Sequence, residues 1–232
     1  MADLTEIAVN ADCFDYMSTM PDQSVDFVLS DIPYGECSGR KNGGFVPGLN
    51  RDKADKDADG SEFDARRYAQ ECLRICRGHI VIFCGHKQIG IIREEMEKCP
   101  WVQMIRLLVW EKQNVSPMNG QHFYLNSIEQ AICCRHKGID FNGKCKHCVI
   151  RHPSQPNPDV HETVKPIGLL QEIIEDCTKP GDIVFDGTAG SFSTAQAAHL
   201  LGRGYICVEK NKELFDKAMK FRKEQLAQGV LF

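Results

Sequence analysis

The sequence predicts an α/β fold: one domain spanning 1–232, with a mostly parallel sheet and helices on both faces. Three observations lead there. Short apolar, β-branched runs alternate with stretches of helical spacing, the order that βαβ units require. Several of these runs end at or just before an acid, at Asp12, Asp31, Asp186 and Glu209, and open α/β sheets hold their ligands at the carboxyl ends of the strands. From Ile183 to Val208 the chain also has the layout of a nucleotide-type βαβ unit, with a glycine-containing turn after its first strand.

Composition bounds the rest. With 26% charged and 42% hydrophobic positions, the chain has the make-up of an ordinary globular protein without repeats or low-complexity tracts. It has no apolar stretch near the length of a membrane span, and MADLTEIAVNADC has neither a basic n-region nor an apolar h-region. The expectation is a cytoplasmic protein with no membrane partner. Of twelve cysteines most sit singly in apolar or helical segments, as Cys72, Cys76, Cys84, Cys99, Cys177 and Cys207 do, which reads as buried reduced thiols. The net charge of -4 works against a nucleic-acid surface over the whole chain, so charge has to be read by region.

In order, Ile7 to Val9 reads as a brief buried strand leading to Asp12, and Cys13 to Met20 has helical spacing. After the turn Pro21-Asp22-Gln23 comes the apolar run Val25, Phe27, Val28, Leu29, broken only by Asp26, which leads into SDIPYG at 30–35. The segment 36–60 loses all periodicity, with five glycines and alternating charges, and reads as a mobile loop insertion, either a lid or a substrate-contacting loop. Phe63 to Cys76 is helical, His79 to Cys84 a buried strand, Lys87 to Lys98 a helix, Val102 to Trp110 a strand, and Ser127 to Cys134 another with Glu129 near its middle. The stretch 135–160 reads as a short basic Cys/His hairpin insertion. From Arg135 to His152 it carries Arg135, Lys137, Lys144, Lys146 and Arg151 against Asp140, a surface suited to phosphates. A helix entered through Pro166 runs to Cys177, Ile183 to Phe185 is a strand, a helix follows from about Phe192 to Leu201, and Tyr205 to Val208 is a strand with Glu209 after it.

The turn SDIPYG reads as the place for chemistry. Asp31 and the Ile32 carbonyl can both accept hydrogen bonds from one amino group, Pro33 fixes the backbone, and Tyr34 offers a face for a planar ring, which suits the exocyclic amine of a base. The second feature is the loop Asp186, Gly187, Thr188, Ala189, Gly190, Ser191. Glu209 lies 23 positions beyond Asp186, near the ~20 expected for a carboxylate that holds ribose hydroxyls. The loop is not G-x-G-x-x-G, so it serves a nucleoside without phosphates better than a dinucleotide, and S-adenosylmethionine is such a nucleoside. A third feature is Cys145-Lys-His-Cys148, half of a structural zinc site that Cys134 and His152 are the expected residues to complete. The alternative there is a hairpin with reduced thiols.

With those parts placed, the chain resembles the amino-DNA methyltransferases, which act on N6 of adenine or N4 of cytosine, in the β-group order where the catalytic motif precedes the donor site. The resemblance covers nearly the whole chain. PDQSVDFVLSDIPYG is similar to the strand and catalytic turn usually written DPPY, with Ile32 in place of the first proline; HETVKP to the segment closing over the methionine part of the donor; VFDGTAGSFST to the donor loop; and GRGYICVEKN to the strand with the ribose-binding acid. It implies a Rossmann-like S-adenosylmethionine-dependent methyltransferase fold with circularly permuted motif order. It also implies DNA as partner and a restriction–modification setting. Asp31, Ile32, Pro33 and Tyr34 would be catalytic. Thr163, Lys165, Pro166, Asp186 to Ser191 and Glu209 would bind the donor, with Asp12 beside its adenine ring. The donor loop departs from DPFAGSGTT, having Gly187 and Thr188 for Pro-Phe, Phe192 for the second glycine and Ser193 for a threonine.

The reading is transfer of a methyl group to an exocyclic base amine in DNA, adenine N6 favoured, with cytosine N4 as the alternative. Rival readings are a methyltransferase for RNA or protein amide nitrogen, and a non-catalytic zinc-containing DNA-binding module on a decayed methyltransferase fold. Since no long target-recognition domain is present, specificity is expected from the basic hairpin, from the 36–60 loop, or from a second subunit in a homodimer.

Overall fold

The computed structural model describes residues 4–34, 63–115, 124–154 and 164–227. In chain order the elements are β1 Glu6–Asn10, α1 Cys13–Thr19, β2 Val25–Asp31, α2 Ala65–Ile75, β3 Cys76–Phe83, α3 His86–Lys98, β4 Val102–Lys112, β5 Ile128–His136, β6 Val149–His152, α4 Ile167–Cys177, β7 Ile183–Asp186, α5 Ser193–Leu200, β8 Gly204–Glu209 and α6 Lys212–Ala227. They form one eight-stranded sheet in the order β1-β8-β7-β2-β3-β5-β4-β6. Neighbouring strands are parallel except at β5, which runs antiparallel to both β3 and β4.

The apolar runs are explained by burial on two faces. In β2 and β3, Val28, Ile80 and Ile82 pack with Met17, Tyr68, Ile92 and Met96 of α1, α2 and α3. Phe27, Leu29, Val81 and Phe83 point the other way, to Leu169, Ile173 and Ile174 of α4 and Ala195 and Ala198 of α5. Asp26, the polar break in β2, accepts from the Ile183 backbone N–H at 2.9 Å and from Arg77 Nε at 2.7 Å, so it joins β2 to the start of β7. Beside it a side chain at Gly78 would put its Cβ 2.1 Å from the Asp26 carbonyl oxygen, an approach only glycine permits.

The basic stretch after β5 differs from expectation. It is not a hairpin, because β4 lies between β5 and β6 and β6 pairs with β4 in parallel register. The intervening residues fold onto the end of α4. The Asn142 backbone N–H donates to the Asp176 carbonyl at 2.8 Å, and its side-chain amide to those of Glu175 and Thr178 at 2.9 and 2.8 Å. Those carbonyls end a helix and have no partner within it, which is why the chain is drawn there. The 36–60 loop lies outside the described residues, as do 155–160. Among the described residues no helix is long and apolar enough to cross a membrane.

Candidate active site

β2 delivers Asp31 to the carboxyl edge of the sheet, beside Phe83 at the end of β3. Pairing continues one residue further, since the Ile32 N–H donates to the Phe83 carbonyl at 3.1 Å, and the Ile32 side chain is buried. The turn is then held from two sides. Gln88 in the first turn of α3 donates from Nε2 to the Pro33 carbonyl at 2.8 Å while its Oε1 accepts from Gly85 N–H at 2.9 Å. Thr188 of the loop after β7 donates its hydroxyl to the Asp31 carbonyl at 3.1 Å. The turn and that loop are thus hydrogen-bonded to each other.

Around Asp31 the structure gathers a cluster of charges from four elements. Lys165, just before α4 and 8% exposed at its side chain, places Nζ 2.5 Å from Asp31 Oδ2 and 2.7 Å from Glu129 Oε2. Lys112 at the end of β4 meets Glu129 Oε1 at 2.7 Å. The Tyr34 hydroxyl donates to Asp31 Oδ1 at 2.9 Å and stands 3.1 Å from Glu129 Oε2. The Lys165 ammonium also lies 4.9 Å from the centre of the Phe83 ring, a cation–π distance. Burial disfavours the charge on Lys165, yet the Asp31 and Glu129 carboxylates outweigh it and hold its pKa above the usual lysine value. Burial likewise works against the Glu129 carboxylate, but the ammoniums of Lys165 and Lys112 bring its pKa down to about 2. Burial, and then the carboxylates of Asp31 and Glu129, push the Tyr34 hydroxyl well above the ordinary tyrosine range, so it stays a donor.

The sequence motif groups Lys165 with the donor-binding residues; its ammonium lies on the acid of the catalytic turn. Pro166 is the N-cap of α4, and Thr163 lies outside the described residues. Glu129 and Lys112 were not among the expected site residues. The signal for Glu129 was present, as a single acid in an apolar strand, which a buried position tolerates only with a partner.

Along the other half of the edge, acids are held by main-chain amides. Glu209 at the end of β8 accepts from Gly190 N–H at Oε2, 2.9 Å, and from Asn211 N–H at Oε1, 2.7 Å. Asp12 caps α1, accepting from Phe14 N–H at 2.8 Å, and pairs with Lys210 at 3.2 Å. Asp186 is 2% exposed; burial raises its carboxyl to about 6, opposed by hydrogen bonds from Thr194 and from the Thr188 N–H at 3.1 Å. Gly187 rests its N–H on Tyr68 Oη at 3.2 Å, and a Cβ there would come within 2.7 Å of that oxygen. Ala189 N–H donates to the Val208 carbonyl at 2.9 Å, and the hydroxyls of Ser191 and Ser193 lie 3.5 Å apart. Phe192, where the related loops have glycine, has φ of 61° and sets its buried ring edge-on to Phe215 at 5.6 Å.

These residues fit S-adenosylmethionine. Three carboxylates at successive strand ends suit hydroxyls, an amine and a cationic sulfur, and nothing in the loop supplies the charge a pyrophosphate wants. At Gly190 a Cβ would meet no atom nearer than 4.0 Å, leaving that side of the loop open to a ligand.

The zinc expectation is corrected. Among the described residues no group of three or more His, Cys, Asp or Glu side chains has metal-holding geometry. Cys134 is buried within β5, His152 Nε2 is bonded to Glu172 at 2.9 Å, and Cys145 and Cys148 are exposed on the stretch that caps α4. The intervening β4 and the α4 contacts separate what a hairpin would have brought together.

The sequence and the fold match known proteins. The chain is 28% identical to the type II methyltransferase M.HinfI of Haemophilus influenzae over 96% of this chain and 69% of that protein. It is 29% identical to the type II methyltransferase M2.MboI of Moraxella bovis, over 88% and 82%. Among solved structures, an M1.HpyAVI complex with S-adenosylmethionine superposes with a TM-score of 0.67 at 24% identity, covering 93% of this chain and 98% of that one. The cytosine-N4-specific PvuII DNA methyltransferase superposes at 0.69 with 12% identity, covering 93% and 86%. The DNA methylase family of N6 and N4 methyltransferases matches by its family model over residues 25–220. With four-fifths of its length matched and a donor edge of the right chemistry, the chain belongs to that family, the S-adenosylmethionine-dependent DNA methyltransferases.

Proposed function

We propose that the protein methylates adenine at N6 in DNA, with Asp31 and the Ile32 carbonyl receiving the two N–H groups of a flipped adenine and Tyr34 covering its ring. The observation that supports it most is the placement of Asp31 at the end of a central strand, hydrogen-bonded to the donor loop through Thr188. Bound S-adenosylmethionine supplies an electrophilic methyl group. Glu209, Asp12 and the loop from Asp186 to Ser191 would hold it, with Thr163 and Pro166 on the segment that closes over it. An aromatic amine is a weak nucleophile, so alignment of its lone pair and negative charge at Asp31 carry the acceleration. Aspartate at the head of the turn favours adenine in the family pattern, where serine is common for cytosine. The work of such an enzyme is on cytoplasmic DNA. Exposed Trp101, Met104 and Leu107 on and beside β4 offer apolar surface for a homodimer, which sedimentation would register.

The test is incubation with methyl-labelled S-adenosylmethionine and unmethylated duplex DNA, followed by digestion and chromatography of the nucleosides. N6-methyladenine is expected. Label in N4-methylcytosine would replace the base assignment, and label found only with RNA or protein substrates would sink the DNA reading.

A further inference from the structure

Asp31 is not a free acceptor: Oδ1 takes the Tyr34 hydroxyl and Oδ2 takes the Lys165 ammonium. A cation at 2.5 Å draws electron density from the carboxylate that is meant to enrich the target amine. The same ammonium is already shared, lying 2.7 Å from Glu129 Oε2, and Glu129 is anchored at its other oxygen by Lys112. Moving from Asp31 to Glu129 therefore needs no new partner and leaves the ammonium itself paired, which matters at a side chain 8% exposed.

We propose that Glu129 is a positioning residue for methyl transfer, the counter-acid to which Lys165 withdraws when the target amine takes Asp31. The inference rests on the reading of Asp31 as acceptor of the target amine. In the withdrawn arrangement Asp31 regains its full charge for the amine, Glu129 carries Lys165 and Lys112 together, and the Tyr34 hydroxyl remains between the two acids. The charged and titratable groups facing Lys165 among the described residues are Asp31 from β2, Tyr34 from the turn and Glu129 from β5, with Lys112 from β4 behind Glu129. Phe83 and Trp110 line the remainder at 4.9 and 6.0 Å.

The consequence is a pH signature. In Glu129→Gln, Lys165 loses one of the two carboxylates that keep it charged against burial, and it stays on Asp31 because no anion competes for it. Methyl transfer at saturating DNA and donor is expected to fall about tenfold at pH 7, the size of a single charge-assisted contact. The deficit should then be smaller at pH 9.5 than at pH 7, because Lys165 held against burial by one carboxylate instead of two gives up its proton more readily and releases Asp31. Glu129→Asp, which keeps the charge, should restore a pH-flat ratio to the parent. Donor affinity by calorimetry should stay near parental in Glu129→Gln. A parental rate at pH 7, or a deficit constant from pH 7 to 9.5, overturns the inference. Asp31→Ala, assayed alongside, separates the two ideas: if it methylates at the parental rate the Asp31 reading has failed, whereas if it is inactive and Glu129→Gln has the parental profile only the role of Glu129 has.

Discussion

The two halves of the sheet's carboxyl edge hold acids by different means. At β1, β7 and β8 the carboxylates of Asp12, Asp186 and Glu209 each accept from the main-chain amide two residues on. At β2 and β5 the carboxylates of Asp31 and Glu129 are held by side chains from distant parts of the chain, Lys165 being 134 positions from Asp31. Backbone amides cannot leave, so the donor half is preset. Ammonium and hydroxyl groups on long side chains can exchange partners, so the target half can respond to what arrives.

The comparison would be broken most directly at Asp31. Asp31→Ala should reduce methyl transfer at least ~100-fold, the scale for losing a group that acts on the reacting atoms, while S-adenosylmethionine affinity by calorimetry stays nearly parental. Loss of donor binding in that variant would mean the halves are not separable.

The opposite edge of the sheet supplies a contrast in pH. His79 near the start of β3 is 4% exposed, its ring lies 5.9 Å from that of Phe141, and among the described residues neither nitrogen has a partner of good hydrogen-bond geometry. Burial, with the Arg135 and His136 charges adding, pushes its pKa down to about 4. The unfolded chain takes up a proton near pH 6.5, and the folded protein does not until about pH 4. Stability should therefore fall as pH drops through that window, by roughly 3 kcal/mol in all, and level off below it. Urea unfolding of the parent and of His79→Leu at pH 7, 5.5 and 4.5 reads this; equal pH dependence in both would place the effect elsewhere.

On the donor half, Glu209→Ala removes two amide partners and should weaken donor affinity by about 1–3 kcal/mol, more than it slows the chemical step, because those bonds exist before and during transfer. Unchanged affinity would reduce Glu209 to a support for the turn at Asn211.

This division also explains what the sequence revealed. Strand–helix alternation, the acids at strand ends and the donor loop are local features, so β1, β2, β7 and β8 appear where apolar runs of three to five residues place them. Asp12 and Asp186 find their amides two residues on, within the reach of motif reading. The Lys165–Asp31–Glu129–Lys112 cluster joins four elements, and no spacing rule connects residues across such separations. HETVKP groups Lys165 with its neighbours, and the contact of its ammonium with Asp31 is a tertiary one that the motif does not encode. The basic stretch failed for a related reason. Two strands flanking a loop read as a hairpin, but β4 had already filled the place next to β5, and unpaired carbonyls at the end of α4 drew the connection away.

That outcome sharpens the smallest prediction, on how the protein meets DNA phosphates. A hairpin would have offered five free basic side chains, but Arg151 pairs with Glu111 at 3.0 Å, and Lys146 meets Asp176 at 2.7 Å and Glu172 at 3.3 Å. Lys144 is exposed and has no ion-pair partner among the described residues. A paired lysine releases no phosphate counterion unless it first gives up its own acid. Neutralising Lys144 and Lys146 together, as Lys144→Gln and Lys146→Gln, should therefore lower the magnitude of the salt slope of DNA binding by about one unit, near the 0.9 per phosphate contact of duplex DNA. Lys146→Gln alone should leave the slope unchanged and cost at most ~1 kcal/mol of stability, as expected for ion pairs still partly open to solvent. A drop of two units between 50 and 200 mM salt would show that Lys146 abandons α4 for DNA, and the stretch would then belong with the exchangeable half of the molecule rather than the preset one.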